Sequence, residues 1–485
     1  MCERAFLPDE EDREEYVRTG AEIVSVESKR PLGSFEIVAF SVSFENDYPN
    51  IPRILGMSRT PPMRDERTDI HPLLVMGGVC ATFNPEPLAD LFDLCFVGEA
   101  EEMLQEFIDA YRVSQSRKEL IARALGIGGL YLPGFYAIRY SDDGRINERV
   151  ALQNAPETVR KRATAGISER KLRASIITPQ TEFSDMFLIE AMRGCPWSCR
   201  FCVAGHIYKP VRKKDSLVLK DEIGEALGAT SRVGLIGPSL TDYPPIKDIL
   251  CLDGVDFSIS SLRASPRSAE LVRFLRGHRS VSIAPEAGTE RLRRVIDKRI
   301  TEEDILETSR LILSEGIENL RLYFMVGLPT EREEDIRGLL SLVGKIRGLS
   351  PKGAIVITLS TFVPKPFTAF QWHPMESMQV VKERLKTIKK ALIPLKGIRV
   401  FHDVPKYAYM QGLFSRGDRR VARVLATMAT GTDWRRACQG AGIDADFYLF
   451  RRRGYDEILP WDFIDIGIPR ERLWSEYQEA MALQG

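Results

Sequence analysis

The chain has 485 residues, enough for about three domains that each bury a core of their own. Lysine and arginine together number 68, as do aspartate and glutamate, so no net charge attracts the chain to nucleic acid or to an anionic membrane. No apolar run approaches the ~20 residues of a membrane-spanning helix, and the acidic first residues lack the apolar core of a signal peptide. Eight cysteines, three of them close together, fit a reducing compartment better than a disulfide framework. The composition predicts a globular protein of the cytoplasm.

Residues 1–100 form the first predicted domain, an α/β unit. Apolar segments in it predict the strands of a mostly parallel sheet, at 35–44, 72–79 and 94–98. Helical connections are predicted at 11–18 and 49–57. Open sheets of this kind bind ligands at the carboxyl ends of their strands. The loop after Gly78 should therefore face any ligand of this domain.

Residues 101–185 are predicted to connect this domain to the next. Helical segments at 100–111 and 117–124 are followed by a glycine-rich stretch. Ser141-Asp-Asp-Gly144 is typical of the turn of a β-hairpin.

A regular alternation of strands and helices begins at residue 186 and defines a domain over 186–372. Six strands are predicted, at 186–191, 233–237, 257–261, 280–284, 320–326 and 354–359. Helices are predicted between them, at 216–229, 245–251, 266–277, 289–315 (interrupted) and 332–348. Residues 373–485 are predicted to form a small helical C-terminal domain, with helices at 376–393, 418–430, 433–440 and 470–482.

Three cysteines follow the first strand of this domain, in Gly194-Cys195-Pro-Trp-Ser-Cys199-Arg-Phe201-Cys202. Glycine and proline break the segment into a loop, on which three thiolates can converge. Three thiolates are one short of the four that usually hold an iron–sulfur cube, so one iron would be open to a ligand. Phe201 is placed to cover such a cluster.

Two other interpretations compete with the cluster. A structural zinc site usually brings a second C-x2-C pair, which this sequence lacks. Three ordinary buried cysteines would seldom fall at this spacing directly after a strand. The cluster interpretation is therefore favoured.

The C-x3-C-x2-C loop with an aromatic residue before its third cysteine resembles the radical S-adenosylmethionine (SAM) superfamily. The resemblance implies that Cys195, Cys199 and Cys202 hold a [4Fe-4S] cluster whose open iron binds SAM. It also implies a partial (β/α)6 barrel, with the chemistry in loops at the carboxyl ends of its strands. One electron from the cluster would cleave SAM to methionine and a 5′-deoxyadenosyl radical. A one-electron reductant such as flavodoxin or ferredoxin, and sensitivity to oxygen, are implied as well.

The same resemblance assigns SAM contacts at successive strand ends. They are Phe201 in the cysteine loop, Gly237 after the second strand, Ser260 and Arg263 after the third, Glu286 after the fourth and Gly327 after the fifth. Arg263 suits the SAM carboxylate because its guanidinium is planar and bidentate, and Glu286 suits ribose hydroxyls. No residue is assigned to the chemistry on the substrate.

The first hundred residues resemble the cobalamin-binding-like Rossmann domain found in one uncharacterised branch of the superfamily. The opening strand, loop and helix of such a domain are missing before Arg4, so the domain is expected to be truncated or its start codon misplaced. Asp69-Ile-His71 matches only half of the D-x-H-x-x-G pattern that supplies a histidine to cobalt, and it precedes a strand. Cobalamin is therefore a candidate cofactor that the sequence neither assigns nor excludes.

The leading functional hypothesis is radical modification of an unactivated carbon in a macromolecule or large metabolite, with methyl transfer as one form. The first alternative is methylthio transfer to tRNA or a ribosomal protein, which needs a second cluster on Cys2, Cys80 and Cys95. The second is a non-catalytic iron–sulfur scaffold or sensor. RNA contact is a minority hypothesis that rests on arginines beside aromatics at 416–420 and 451–453.

Overall fold

The computed structural model describes residues 2–259, 262–275 and 279–483. Its N-terminal part is an α/β unit built on one four-stranded sheet, in which β1, β2 and β3 are parallel and β4 is antiparallel to β3. The strands are β1 (Ile37–Ser41), β2 (Leu73–Gly77), β3 (Leu94–Phe96) and β4 (Leu130–Tyr131). The helices are α1 (Glu10–Thr19), α2 (Asn50–Met57), α3 (Val79–Phe83), α4 (Ala100–Val113) and α5 (Arg117–Ala124).

The predicted hairpin around residues 141–144 is present. Its strands are β5 (Tyr136–Tyr140) and β6 (Ile146–Ala151), which pair antiparallel, and a short β7 (Val159–Arg160) follows. These segments lead into the second α/β unit.

The second unit contains all six predicted strands, each within a few residues of its predicted position. Its strands in chain order are β8 (Phe187–Glu190), β9 (Met192–Arg193), β10 (Arg212–Lys213), β11 (Arg232–Ile236), β12 (Asp256–Ile259), β13 (Ser280–Glu286), β14 (Asn319–Val326), β15 (Ala354–Thr361) and β16 (Ile398–His402). Strands β8, β11 and β12 form one parallel sheet and β13 to β16 form another. A parallel bridge between Leu262 and Ile283 joins the two sheets, so the strands follow one another around a partial barrel.

Helices connect these strands and cover the barrel. They are α6 (Ala204–Ile207), α7 (Ser216–Ala226), α8 (Ile246–Leu250), α9 (Pro266–Val272), α10 (Glu290–Val295), α11 (Glu302–Ser314), α12 (Glu333–Leu349) and α13 (Met378–Leu392). Side chains of Asp215, Thr289 and Thr301 accept backbone N–H groups at the starts of α7, α10 and α11. These caps satisfy donors that the first helical turn leaves unpaired, which fixes where each helix begins after its loop.

Strand β16 extends the barrel beyond the six predicted strands. It lies inside residues 373–485, for which only helices were predicted, and it pairs parallel with β15. Helix α13 makes the crossover between the two strands, as parallel pairing requires. The remaining C-terminal elements are α14 (Pro405–Arg416), α15 (Val421–Ala429), α16 (Trp434–Gly440), α17 (Ala445–Leu449), β17 (Ile464–Asp465) and α18 (Arg470–Ala482).

The N-terminal sheet meets the C-terminal region along the carboxyl ends of its strands. Glu45, after β1, forms an ion pair with Lys365 and accepts a hydrogen bond from Gln411 Nε2 at 2.9 Å. After β2, the buried Asn84 donates from Nδ2 to the Ser415 carbonyl at 3.0 Å. These contacts hold the N-terminal domain over the barrel. Within the described residues, no helix is both long and apolar enough to cross a bilayer.

Candidate functional site

A short antiparallel pair closes the base of the cysteine loop. Arg193 of β9 is the register partner of Arg212 of β10, so residues 194–211 form a loop whose two ends lie side by side. Gly194 has a φ of 82°, and a Cβ there would lie 2.5 Å from the Tyr208 carbonyl oxygen. Only glycine fits this close approach without strain, so the loop depends on the residue before Cys195.

The three cysteines are free thiols in a largely buried loop. Cys199 is 7% exposed, and Cys195 and Cys202 are half-buried. Burial raises the pKa of all three thiols. For Cys202, burial and the nearby Cys199 and Cys195 together raise the pKa to about 11. The loop therefore brings the three sulfurs near one another, as the spacing predicts.

These thiols are not arranged around a single metal ion. Among residues 2–259, 262–275 and 279–483, no group of three or more histidine, cysteine, aspartate or glutamate side chains is placed to hold one ion. In an iron–sulfur cube each thiolate binds a different iron, so the sulfurs need not converge on a point. Lys298 and Arg263 lie beside Cys199 and oppose the rise in its pKa that burial causes. The cations beside Cys199 thus favour the thiolate form that a metal or cluster ligand needs.

Arg263, which follows β12, contacts both the cysteine loop and the connection between α10 and α11. Its Nη2 donates to the Arg299 carbonyl at 3.2 Å and, more closely, to the Lys298 carbonyl. Its guanidinium lies 3.8 Å from the ring centroid of Trp197, which stands between the first two cysteines in the sequence. Arg263 thus links the connection between α10 and α11 to the cysteine loop, and its Nη2 is occupied by these carbonyls.

Lys298 reaches the site from a connection that the sequence did not mark as functional. Asp297 and Arg299 both have a φ of 51°, in the left-handed region, and Lys298 lies between them. The Arg200 backbone N–H donates to the Ile296 carbonyl at 3.0 Å, which ties this connection to the cysteine loop. Strained backbone held by its surroundings is common at functional sites. Only the predicted interruption of the helix over 289–315 signalled this connection.

Glu286 and Lys298 form an ion pair next to the cysteines. The distance from Lys298 Nζ to Glu286 Oε1 is 2.9 Å, and the side chains are 12% and 14% exposed. Glu286 has a φ of 66° and lies where the register between β13 and β14 shifts. Lys298 Nζ is also 6.0 Å from the ring centroid of Phe201. The structure thus brings Arg263, Glu286 and Phe201 together beside the cysteine loop.

The remaining residues assigned to SAM lie at their predicted strand ends. Gly237 follows β11, and Gly327 follows β14 and donates its N–H to Glu331 Oε2 at 2.7 Å. Ser260 lies outside the described residues. The contacts of all these residues with SAM stay predictions.

A cavity of about 710 Å³ opens beside the loop, at the ends of β8 and β11. Its lining is mostly apolar and includes Met192, Tyr208 and Gly237. Its charged residues, Glu190 and Arg193, bind each other at 2.7 Å. The volume is in the range of small-molecule sites.

Comparisons with known proteins identify the family. Residues 1–133 match the family described as radical SAM proteins, N-terminal, and residues 189–343 match the radical SAM superfamily. An uncharacterized protein of Methanocaldococcus jannaschii is 32% identical over 407 residues, which are 81% of this chain and 80% of that protein. The chain belongs to the radical SAM superfamily. It is a radical SAM enzyme, and its family implies a [4Fe-4S] cluster and SAM as cofactors.

Proteins of solved structure resemble this radical SAM enzyme more distantly than the Methanocaldococcus jannaschii protein does. OxsB, described as a cobalamin-dependent S-adenosylmethionine radical enzyme, is 16% identical with a TM-score of 0.43, over 64% of this chain and 44% of OxsB. The chain thus spans less than half of the length of OxsB. Coproporphyrinogen III oxidase (HemN) of Escherichia coli is 12% identical with a TM-score of 0.32, over 54% of this chain and 80% of HemN.

The polar residues at the carboxyl edge of the N-terminal sheet do not fit cobalamin. Glu45 and Asn84, which follow β1 and β2, are already bonded to other parts of the enzyme. Glu86 is 1% exposed and binds Arg419 Nε at 3.0 Å, and Glu99, after β3, binds Arg212 and Arg193. We therefore derive no step through cobalamin.

Cobalamin added to the enzyme is expected to show no histidine coordination. His71 precedes β2, at the amino end of the sheet, and its Nδ1 accepts the Thr68 backbone N–H at 3.1 Å. The Co(II) electron paramagnetic resonance spectrum should therefore lack nitrogen hyperfine lines from histidine. Lines that vanish in His71→Ala would contradict this expectation.

The two arginine clusters considered for RNA contact are mostly internal. Arg416 is fully buried and Arg453 is 3% exposed. Arg419 binds Glu86, and Arg451 binds Glu457 at 2.6 Å. These guanidinium groups hold the C-terminal region together, so the residues that suggested RNA contact no longer support it.

Proposed function

We propose that this radical SAM enzyme binds SAM between the cysteine loop and the ends of β12 and β13, and modifies an unactivated carbon of a macromolecule or large metabolite. The observation that carries the proposal is the convergence of Arg263, Glu286 and Lys298 beside Cys199. When bound, the cluster and SAM supply an electron and a carbon radical. The chain supplies binding, orientation and exclusion of water.

Each of these residues has a definite part in the proposal. Cys195, Cys199 and Cys202 would hold three irons, and Lys298 places an ammonium group beside the thiolates. Glu286 offers a carboxylate to ribose hydroxyls while Lys298 fixes its orientation. Trp197 and two backbone carbonyls hold the Arg263 guanidinium in place. Its remaining N–H groups are proposed to meet the SAM carboxylate.

Methyl transfer is proposed as one form of the modification, with a metabolite or a macromolecule as acceptor. Methylthio transfer is disfavoured because its second cluster would need Cys2, Cys80 and Cys95. Cys2 is exposed, whereas Cys80 and Cys95 are in the core. Burial raises the pKa of the Cys95 thiol and raises that of Cys80 to about 12.

The proposal is tested by the products of SAM. Reconstituted anaerobically and given SAM with reduced flavodoxin, ferredoxin or dithionite, the enzyme should release methionine and 5′-deoxyadenosine. Comparing metabolites, RNA and ribosomal proteins of a deletion strain with those of its parent should then reveal the modified class. A cluster-bearing enzyme that binds SAM but never cleaves it would contradict the proposal. Flavodoxin and ferredoxin are the reductants expected in the cytoplasm, where the enzyme is proposed to act.

Arg263→Ala and Glu286→Gln are each expected to weaken SAM binding by about ten- to a hundredfold. A hydrogen bond to a charged group contributes roughly 1.5–3 kcal/mol, and ~1.4 kcal/mol corresponds to tenfold in affinity. Isothermal titration of SAM into the reconstituted variants measures the change. Iron content should stay at the wild-type level, because neither side chain binds iron.

Glu307→Gln is the matched control for these variants. Glu307 binds Arg310 at 2.7 Å on the surface of α11, with both side chains about half exposed. Exposed pairs contribute only ~0–1 kcal/mol, and this one is not at the site, so SAM affinity should not change. Wild-type affinity in both test variants would remove Arg263 and Glu286 from the SAM site.

A further inference from the structure

A second cavity, also of about 710 Å³, lies where the two α/β units meet. Its walls include Phe44 and Asn46 after β1, Ser360 and Thr361 at the end of β15, and Asp403 after β16. Parallel sheets bind ligands outside the carboxyl ends of their strands. Here the carboxyl ends of strands from two sheets border one cavity. The cavity shares no lining residue with the cavity beside the cysteine loop, so it is a separate site.

Two residues that line this cavity each carry an oxygen without a hydrogen-bond partner among the described residues. The atoms are Asn46 Oδ1, from the N-terminal unit, and Thr361 Oγ1, from the barrel, and both are buried. Thr361 as a whole is only 9% exposed. Buried polar atoms are nearly always hydrogen-bonded, so orphaned oxygens on two residues of one cavity wall point to a bound group that the protein itself does not supply. The volume is in the range of about 300–1,000 Å³ that small-molecule sites occupy.

The cavity lining carries no net charge and can both donate and accept hydrogen bonds. Its charged residues are Arg53 and Asp403, which have opposite signs, and Arg53 Nη1 already donates to Asn50 Oδ1 at 3.2 Å. The amide and hydroxyl side chains of the lining, such as Asn46 and Thr361, can donate as well as accept. Phosphate groups need several donors, so this lining favours a neutral ligand with hydroxyl groups over an anion.

Two exposed aromatic rings complete the lining. Phe44 is 45% exposed and Tyr407, on α14, is 53% exposed. Sites for small molecules combine apolar walls with a few polar groups that fix orientation. A ring with hydroxyl groups meets both demands, because its C–H face packs on an aromatic ring while its hydroxyls donate to the acceptors.

We propose that this cavity binds a neutral hydroxylated ring, the chemistry shared by a free sugar and the ribose of a nucleoside. The inference does not rest on the proposed SAM chemistry, because binding is measured without SAM or reductant. The full-length enzyme is titrated with methyl β-D-glucopyranoside in one arm and with uridine in the other. Saturation-transfer nuclear magnetic resonance reports contact, and isothermal titration gives the affinity. The arm that binds identifies the source of the ring.

Thr361→Val tests the location. It keeps the shape of the side chain and removes the hydroxyl, and it should weaken binding about tenfold, equivalent to ~1.4 kcal/mol. Its melting temperature should match or exceed that of the wild type, because the hydroxyl it removes has no partner. Asn46→Leu is a second variant, so the test stands even if one variant folds poorly.

Thr427→Val is the matched control, since Thr427 lies on α15 outside the cavity and bonds the Arg423 carbonyl at 3.0 Å. It should bind like the wild type. No contact with either probe would overturn the ligand class. Binding that is unchanged in both Thr361→Val and Asn46→Leu would overturn the location.

Discussion

Replacing Cys195, Cys199 and Cys202 together with alanine is expected to abolish the iron–sulfur absorption of the anaerobically reconstituted enzyme. The three thiols lie on one closed loop and are the ligands proposed for the cluster. Without them no other cysteine set is available, because Cys80, Cys95 and Cys438 are buried elsewhere and Cys2 and Cys251 are exposed and isolated in sequence. Formation of 5′-deoxyadenosine from SAM should be lost as well.

Visible absorption and iron and sulfide counts measure this result. Cys438→Ala is the matched control, since it removes a buried thiol from α16 and should leave the cluster complete. A full cluster in the triple variant would contradict the assignment of the loop. A wild-type enzyme that forms the cluster but does not cleave SAM would instead contradict the proposed SAM site.

The barrel was predictable because its strands are short apolar runs between breakers. Strands β14 and β15 show this best, with buried side chains alternating along most of their length. Strand β16 was missed because its sequence, Ile398-Arg-Val-Phe-His402, spans only five positions after a lysine-rich helix and buries only Ile398. Its partner β15 precedes that helix in the sequence, so the pairing depends on tertiary contact.

Sequence also located the cysteines but not the cation beside them. The place of Lys298 depends on left-handed backbone at Asp297 and Arg299, which neither residue type announces. The surroundings of the arginine clusters could not be read from the sequence for a related reason. A cluster such as the one around Arg416 looks the same in sequence whether it faces solvent or is buried against distant partners.

The contact between Glu99 and the base of the cysteine loop is another feature that only the fold reveals. Glu99 is 7% exposed and binds Arg212 closely and Arg193 at 2.9 Å. Its Oε2 also accepts the Thr164 backbone N–H at 2.8 Å. Arg193 and Arg212 are cross-strand partners, and like charges placed opposite each other repel. Glu99 therefore holds closed the base of the loop that carries the three cysteines.

Glu99→Gln is expected to destabilise the enzyme by about 3–5 kcal/mol near neutral pH, because it leaves Arg212, whose side chain is 9% exposed, without a compensating charge. Melting temperature and iron per chain should both fall, since the base of the loop would open. Glu106→Gln is the matched control. Glu106 binds Arg162 at 2.8 Å with 44% of its side chain exposed, and such pairs contribute ~0–1 kcal/mol.

The loss in Glu99→Gln should also depend on pH. Burial alone would raise the pKa of Glu99, but the hydrogen bonds from Arg212 and Thr164 and the charge of Arg193 outweigh it and lower the pKa below its ordinary value of 4.5. A carboxylate with a lowered pKa stabilises the fold above that ordinary value, and the contribution is lost as pH falls through the pKa of the folded state. The melting temperatures of wild type and variant should therefore converge below about pH 4. A difference that stays constant from neutral to acidic pH would show that Glu99 acts through packing rather than charge.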